Sequence, residues 1–278
     1  MVYLVLAIVS SAMVSVCMRL STNRIKGNVA MLVMNYLMCL LLACCFTGPK
    51  NLMPAGPSFP RTVGLGLING AFYLVSFVCM QRNIVKNGVV LSATFMKLGL
   101  LVPIIISVVC FREVPDAVQV IGFVVAVLAI LLINLKQDDA AVQSPVGLIL
   151  LLLTGGMADA MSKIYEEVGD RALSEQFLVY TFFSAMILCL FLMAQKKQRI
   201  GLPELGFGML IGIPNFFSSR FLLLALKHIP AVVTYPTYSV SAILLITLIG
   251  VLVFRERLSR RQWLGLGMII LALMLLNL

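Results

Sequence analysis

The chain has 278 residues, of which 61% are hydrophobic and 12% charged, and carries a formal net charge of +10. Soluble domains are about one quarter charged, so this composition excludes an ordinary soluble globular protein and leads us to expect an integral membrane protein. A net charge of +10 would suggest a nucleic-acid partner in a soluble chain, but here the cations flank apolar runs, where membrane orientation accounts for them and no nucleic acid is expected.

Apolar stretches of spanning length recur at residues 2–18, 30–47, 62–80, 88–110, 117–135, 146–165, 175–194, 204–224, 231–253 and 262–278, ten in all. Each is long enough to cross about 30 Å of hydrocarbon as a helix of about 20 residues. Barrel strands would instead alternate over about ten residues. The first span has no basic n-region and no A-x-A cleavage site, so it reads as a helix rather than a signal peptide. The expected fold class is an all-α polytopic membrane protein.

In chain order, span three carries Gly66-x-x-x-Gly70, a small-residue packing motif, and a polar stripe of Asn69, Tyr73 and Ser76 at helical spacing. Span four holds Lys97 one turn after Thr94 and ten residues into its apolar run, with Pro103 beyond. A lysine or aspartate at the bilayer centre costs about 2.5–3.5 kcal/mol, and the Lys97 stem is too short to snorkel out from there. Span six carries Asp159, also deep, followed by Ser162, Lys163 and Glu166. An ion pair between Lys97 and Asp159 would offset the cost of both; a purely structural pair is the bland alternative. Span eight shows Gly208-x-x-x-Gly212, Pro214, Asn215, Ser218 and Ser219, and span nine Thr234, Tyr235, Thr237, Tyr238 and Ser241. Serine and threonine also bond to their own helix carbonyls, and Tyr235 and Tyr238 lie near enough to a loop for an interfacial belt. Pro214 reads as a simple kink.

The seven cysteines all sit in apolar spans without C-x-x-C spacing, so we expect packing thiols rather than disulfides, and His228 has no ligand cluster, so no metal is expected. Arg112-Glu113 and Arg255-Glu256 lie at helix ends and read as turns and caps. There is no Ser-His-Asp set, H-E-x-x-H or D-x-x-D to support a lipid-modifying enzyme.

The strongest organisational signal is a repeat. Residues 111–135 and 254–278 share Phe-Arg-Glu, a Gln (119, 262), a Gly (122, 265), Leu-Ala (128–129, 271–272) and Asn-Leu (134–135, 277–278) at a constant offset of 143. More weakly, 13–19 aligns with 157–163 and the two G-x-x-x-G motifs align with each other. The chain therefore reads as a duplication, with repeats over 1–137 and 145–278. Five helices per repeat is an odd number, so the second copy must be inverted, as in many secondary transporters whose site lies near the midplane. Thirteen Lys/Arg lie in the odd-to-even loops and their helix ends against six on the other face, which places both termini outside.

Two five-helix repeats, each with a Glu closing its fourth helix before a Q-x-x-G fifth, together with "ALKHIPA" (225–231), resemble the EamA-type branch of the drug/metabolite transporter superfamily. That resemblance implies helices 1, 3, 4, 6, 8 and 9 around a central cavity, with 5 and 10 packing outside. Pro103 and Pro236 do not occupy matching repeat positions.

The expected function is secondary active or facilitated transport of a small polar metabolite, amino-acid-like or anionic, by alternating access. Lys97 would attract an anionic group, and Asp159 an ammonium or a proton. Asn69, Tyr73, Thr94, Asn215, Ser218, Ser219, Tyr235, Tyr238 and Ser241 would complete the substrate-binding set. The alternative is an exporter of lipophilic cations or drugs, with Asp159 and Glu166 as counter-ions and Phe216, Phe217 and Phe221 as pocket walls; a central Lys97 opposes it. We expect no cofactor beyond a coupling ion such as a proton, the lipid bilayer and a small molecule as partners, a monomer or homodimer, and a multi-pass location in a bacterial-type inner membrane.

Overall fold

The computed structural model describes residues 1–21, 24–87, 89–134, 144–253, 255 and 259–277. Among these there are helices and no strands: α1 (Val2–Ser21), α2 (Asn28–Thr47), α3 (Phe59–Asn87), α4 (Val89–Leu98), α5 (Leu101–Phe111), α6 (Ala117–Asn134), α7 (Pro145–Val168), α8 (Ser174–Gln195), α9 (Leu202–Leu226), α10 (Ala231–Leu252) and α11 (Arg260–Leu276). Phe254, Glu256 and Leu278 of the repeat motif, and Lys136 and Arg257 of the charge bias, lie outside the described residues.

Among the described residues, eight helical stretches are long and apolar enough to cross a membrane: α1, α2, α3, Leu91–Phe111, α7, Arg171–Gln195, α9 and α10. The apolar run of α6 is shorter, Ala117–Ile133, and α11 has 17 residues and opens on two arginines. The chain is thus a multi-pass, all-helical protein, because helices satisfy every backbone group within their own segment where lipid offers no partner.

Span four differs from the continuous helix expected over 88–110. It is interrupted at Gly99-Leu100, so that Lys97 stands in the last turn of α4 rather than mid-helix. Pro103 explains the break. It has no N–H for the carbonyl of Gly99, four residues back, and its ring would collide there. The Gly99 carbonyl instead accepts from Val102 N–H at 3.0 Å, and the Gly99 and Leu100 amides donate three residues back to Met96 (3.2 Å) and Lys97 (3.4 Å). Pro214 and Pro236, by contrast, lie inside α9 and α10, which continue through them.

The chain folds as two compact units, whose boundaries fall within α3 and α7. The first comprises Met1–Leu74 and Ile164–Lys227, the second Val75–Lys163 and His228–Leu278. In the first, α9 packs on α1 and α2, and α2 also packs on α8. The two G-x-x-x-G motifs set these distances. A side chain at Gly70 would strike the Thr181 carbonyl at 2.5 Å and one at Gly212 the Asn35 carbonyl at 2.6 Å, so α3 meets α8 and α9 meets α2 backbone to backbone. In the second unit α6 packs along α11, and α10 contacts α5, α6 and α11. Gly122 of α6 faces Leu275 and Leu276, while Gly265 of α11 faces Ile133 and Ala129.

Candidate functional site

The second unit gathers the deep charges around the break in span four. Gly156 of α7 lies directly against it: a Cβ there would run into the Gly99 carbonyl oxygen and come within 2.5 Å of Val102. Asp159 is three residues further along α7, one turn on, and Lys97 lies in the last turn of α4, two residues before Gly99. The close passage of the two glycines thus brings together the stretches of α4 and α7 that carry these opposite charges. Lys97 is half-buried and Asp159 is exposed. Thr94, one turn before Lys97, is fully buried.

Tyr235 of α10 is 1% exposed and its hydroxyl donates to the Asp159 carbonyl oxygen at 2.8 Å. This deep burial removes the interfacial-belt reading for Tyr235. The bond ties α10 to α7 at the acidic residue, a positioning contact rather than a free hydroxyl. Tyr238 and Ser241 lie one and two turns further along α10, both half-buried.

Four residues beyond Asp159, Lys163 forms an ion pair with Glu113 at 2.7 Å, with side-chain exposures of 3% and 17%. Lys163 also lies over the Phe111 ring, 5.8 Å from its centroid. The other oxygen of Glu113 accepts from Ser107 Oγ at 2.5 Å and from the amides of Ala231 (2.7 Å) and Val232 (3.3 Å). One carboxylate therefore joins α5, α7 and the first turn of α10, whose opening amides lack intrahelical acceptors. Burial pushes the Glu113 carboxyl up, but hydrogen bonds from Lys163 and Ser107, the Lys163 charge and the Val232 amide outweigh it. The net result holds the group below its ordinary value.

Glu113 does cap a helix, as its place at a helix end suggested, but the helix is α10, more than a hundred residues away in sequence. Lys163, read from the sequence as one of the polar residues along span six, is its buried counter-ion. Nothing in the local pattern named this pairing. The one available signal was the repeat, which aligns Lys163 with Arg19 and so marks both positions as cationic in each copy. Arg112 and Arg255, 143 residues apart in the aligned repeat ends, share a left-handed backbone, φ 56° and 54°.

The remaining expected residues fall in the first unit. Asn69 is buried and donates from Nδ2 to Thr181 Oγ1 at 3.4 Å, while its Oδ1 has no hydrogen-bond partner among the described residues. Tyr73 packs against Tyr36 and Phe182, with ring centroids 6.0 and 6.5 Å away. Asn215 donates to Asn35 Oδ1 at 3.2 Å, a partner on α2 that sequence reasoning missed although a lone asparagine in that apolar run was visible. Ser218 donates to the Ala7 carbonyl at 3.4 Å and joins α9 to α1. Ser219 bonds back to the Asn215 carbonyl of its own helix at 3.2 Å, the bland option for a helix serine. Glu166 is buried and bonded to Arg171, so its charge is already matched. Phe216, Phe217 and Phe221 form a run of ring contacts that continues to Phe46, over which Arg220 lies 4.4 Å from the centroid.

The EamA-like transporter family matches residues 145–278, the extent of the second repeat read from the sequence. An uncharacterized protein of Haemophilus influenzae is 25% identical over 276 residues, spanning 95% of this chain and 93% of its own length. The quaternary ammonium compound-resistance protein QacG of a Staphylococcus species is 33% identical over 75 residues, 27% of this chain and 66% of that protein. A solved crystal structure superposes over 99% of this chain and 94% of its own with a TM-score of 0.76 at 11% identity, a likeness of fold alone.

Proposed function

We propose that this chain is a secondary active or facilitated transporter that moves a small polar metabolite by alternating access, a reading supported by the match of residues 145–278 to the EamA-like transporter family. The observation that carries the reading is the placement of Lys97 and Asp159. Opposite charges, costly in hydrocarbon, stand on α4 and α7 beside a helix break, and Asp159 is exposed. Interrupted helices at membrane depth are where transporters of inverted-repeat architecture place substrate and coupling-ion sites.

A zwitterion such as an amino acid suits this pair, its carboxylate taken by Lys97 and its ammonium by Asp159. Substrate entry then replaces an internal attraction with two external ones, which links binding to a shift between conformations. Thr94 shares α4 with Lys97, Tyr238 and Ser241 stand on α10 as further polar groups, and Tyr235 ties α10 to the backbone of Asp159. In the first unit, the buried Asn69 Oδ1 offers an acceptor to a polar molecule, with Tyr73, Asn215 and Ser218 on the helices around it.

The reading includes ten transmembrane helices in two inverted repeats, 1–137 and 145–278. Three features support it: the constant offset of 143, the reciprocal seating of Gly122 and Gly265, and the matched left-handed arginines. A bacterial-type inner membrane suits such a chain, working as a monomer or homodimer.

Export of lipophilic cations is the second reading. The partial likeness to a quaternary ammonium compound-resistance protein and the aromatic run around Phe216 favour it. Lys97 beside Asp159 opposes it, because a cationic ligand would meet a like charge.

Reconstitution into liposomes tests both readings. Uptake of amino acids should fall at least tenfold in Lys97→Ala and in Asp159→Asn. If both variants move every recognised substrate like the wild type, the charges are structural. A quaternary ammonium substrate whose transport improves in Lys97→Ala would favour the second reading.

A further inference from the structure

At the start of α2 and α9 the first unit builds a basic pocket that the transport reading does not use. It has a volume of about 370 Å³ and is lined by Lys26, Gln198, Arg199, Ile200 and Glu204. The local backbone is fixed from several sides. Lys197 adopts a left-handed conformation, φ 51°, which turns the chain after α8. Gln198 Oε1 then accepts from the Val29 and Ala30 amides at 3.1 and 3.2 Å. Glu204, buried, accepts from the amides of Lys26 (2.7 Å), Gly27 (3.2 Å) and Gly201 (3.1 Å).

The acceptors here are thus engaged by backbone donors, and the opening amides of α2 are occupied. What the pocket presents outward is cationic. Lys26 and Arg199 are exposed at its wall, and Arg24, Lys196 and Lys197 flank them in the chain, also exposed. Two cations line the pocket with one buried carboxylate that accepts three backbone amides, and three more cations adjoin them in sequence.

Apolar surface adjoins this charge. Ile200, Leu202 and Leu205 are 42%, 85% and 38% exposed, and Arg24 lies over the Phe207 ring, 5.9 Å from its centroid. The apolar spans of α2 and α9 begin at the pocket. Cations immediately above exposed aliphatic side chains match the headgroup-to-acyl boundary of a bilayer, where each nearby Lys or Arg attracts an anionic leaflet by about 1 kcal/mol. A free phosphate would use the cations and leave the aliphatic surface without a role.

We propose that this pocket is a binding site for the phosphate headgroup of an anionic phospholipid, with Lys26 and Arg199 as the contacting cations and Ile200, Leu202 and Leu205 beneath the first carbons of the acyl chains. The site is separate from Lys97 and Asp159, and its occupancy is independent of whether transport is observed.

The test is lipid titration of the purified full-length protein in neutral detergent, read by native mass spectrometry and by melting temperature. Phosphatidylglycerol should bind at least tenfold more tightly than phosphatidylcholine and raise the melting temperature. Lys26→Gln/Arg199→Gln should lose at least tenfold in phosphatidylglycerol affinity, and the charge reversal Lys26→Glu/Arg199→Glu should abolish the preference. Arg61→Gln, which removes a cation elsewhere in the same unit, should match the wild type. The proposal is overturned if the two lipids bind alike, or if the double glutamine variant stays within twofold of wild type. It is also overturned if inorganic phosphate without lipid reproduces the shift, since that marks a free-anion pocket.

Discussion

Replacing Glu113 by glutamine should be among the most damaging single changes in the second unit. Glutamine keeps the shape and one carbonyl oxygen, so the Ala231 amide retains an acceptor, but the Lys163 ammonium, 3% exposed, loses its counter-charge at 2.7 Å. Removing one partner of a buried ion pair costs about 3–5 kcal/mol, because the remaining charge stays desolvated. Glu113 is itself 17% exposed and keeps some contact with solvent, which places the expectation at the lower end, about 3 kcal/mol. Lys163→Met in the same background removes the orphaned charge and should restore stability to within about 1 kcal/mol of wild type, since well-packed apolar replacements of buried pairs are close to neutral. Reversible denaturation of these three proteins and of Lys163→Met alone in mixed micelles gives the interaction energy directly. The reasoning fails if Glu113→Gln lies within about 1 kcal/mol of wild type, or if the double variant is no more stable than the single.

The same carboxylate predicts a pH dependence. Its folded-state value is depressed, so its contribution is fully present above the unfolded glutamate value of about 4.3 and is lost as pH falls through the lower folded value. Melting temperature should therefore drop more steeply below about pH 4 in the wild type than in Glu113→Gln, with the two profiles parallel at neutral pH. Gly156→Ala places a methyl group against the Gly99 carbonyl and Val102, backbone and branched side chain that cannot swing aside. It should cost about 1–3 kcal/mol in the same denaturation assay and reduce substrate uptake by displacing α4 from Asp159. Tyr235→Phe leaves the aromatic packing intact but removes the donor to the Asp159 carbonyl, so a loss of about 1–3 kcal/mol is expected. An unchanged melt would show that Tyr235 positions nothing.

The helices were legible in the sequence because the reason for them is local: a long apolar segment in lipid can satisfy its backbone only within itself. The small-residue motifs announced close helix contacts for an equally local reason, and Lys97 and Asp159 stood out because the cost of a charge in hydrocarbon depends on depth along one segment. The interruption of span four was not read from the sequence: a proline can break a helix or leave it continuous, as it does at Pro214 and Pro236. Which residues meet was another matter. Glu113 looked like a cap for its own turn and caps α10 instead. Lys163 stood in the polar stripe of span six with no partner named and is buried against Glu113. Asn215 finds Asn35, and Glu166 finds Arg171. Composition and periodicity determine that each helix exists and roughly which face is polar. Partners depend on which helices pack and in what register, and that follows from backbone contacts summed over the whole chain, such as Gly156 on Gly99, which no single segment contains.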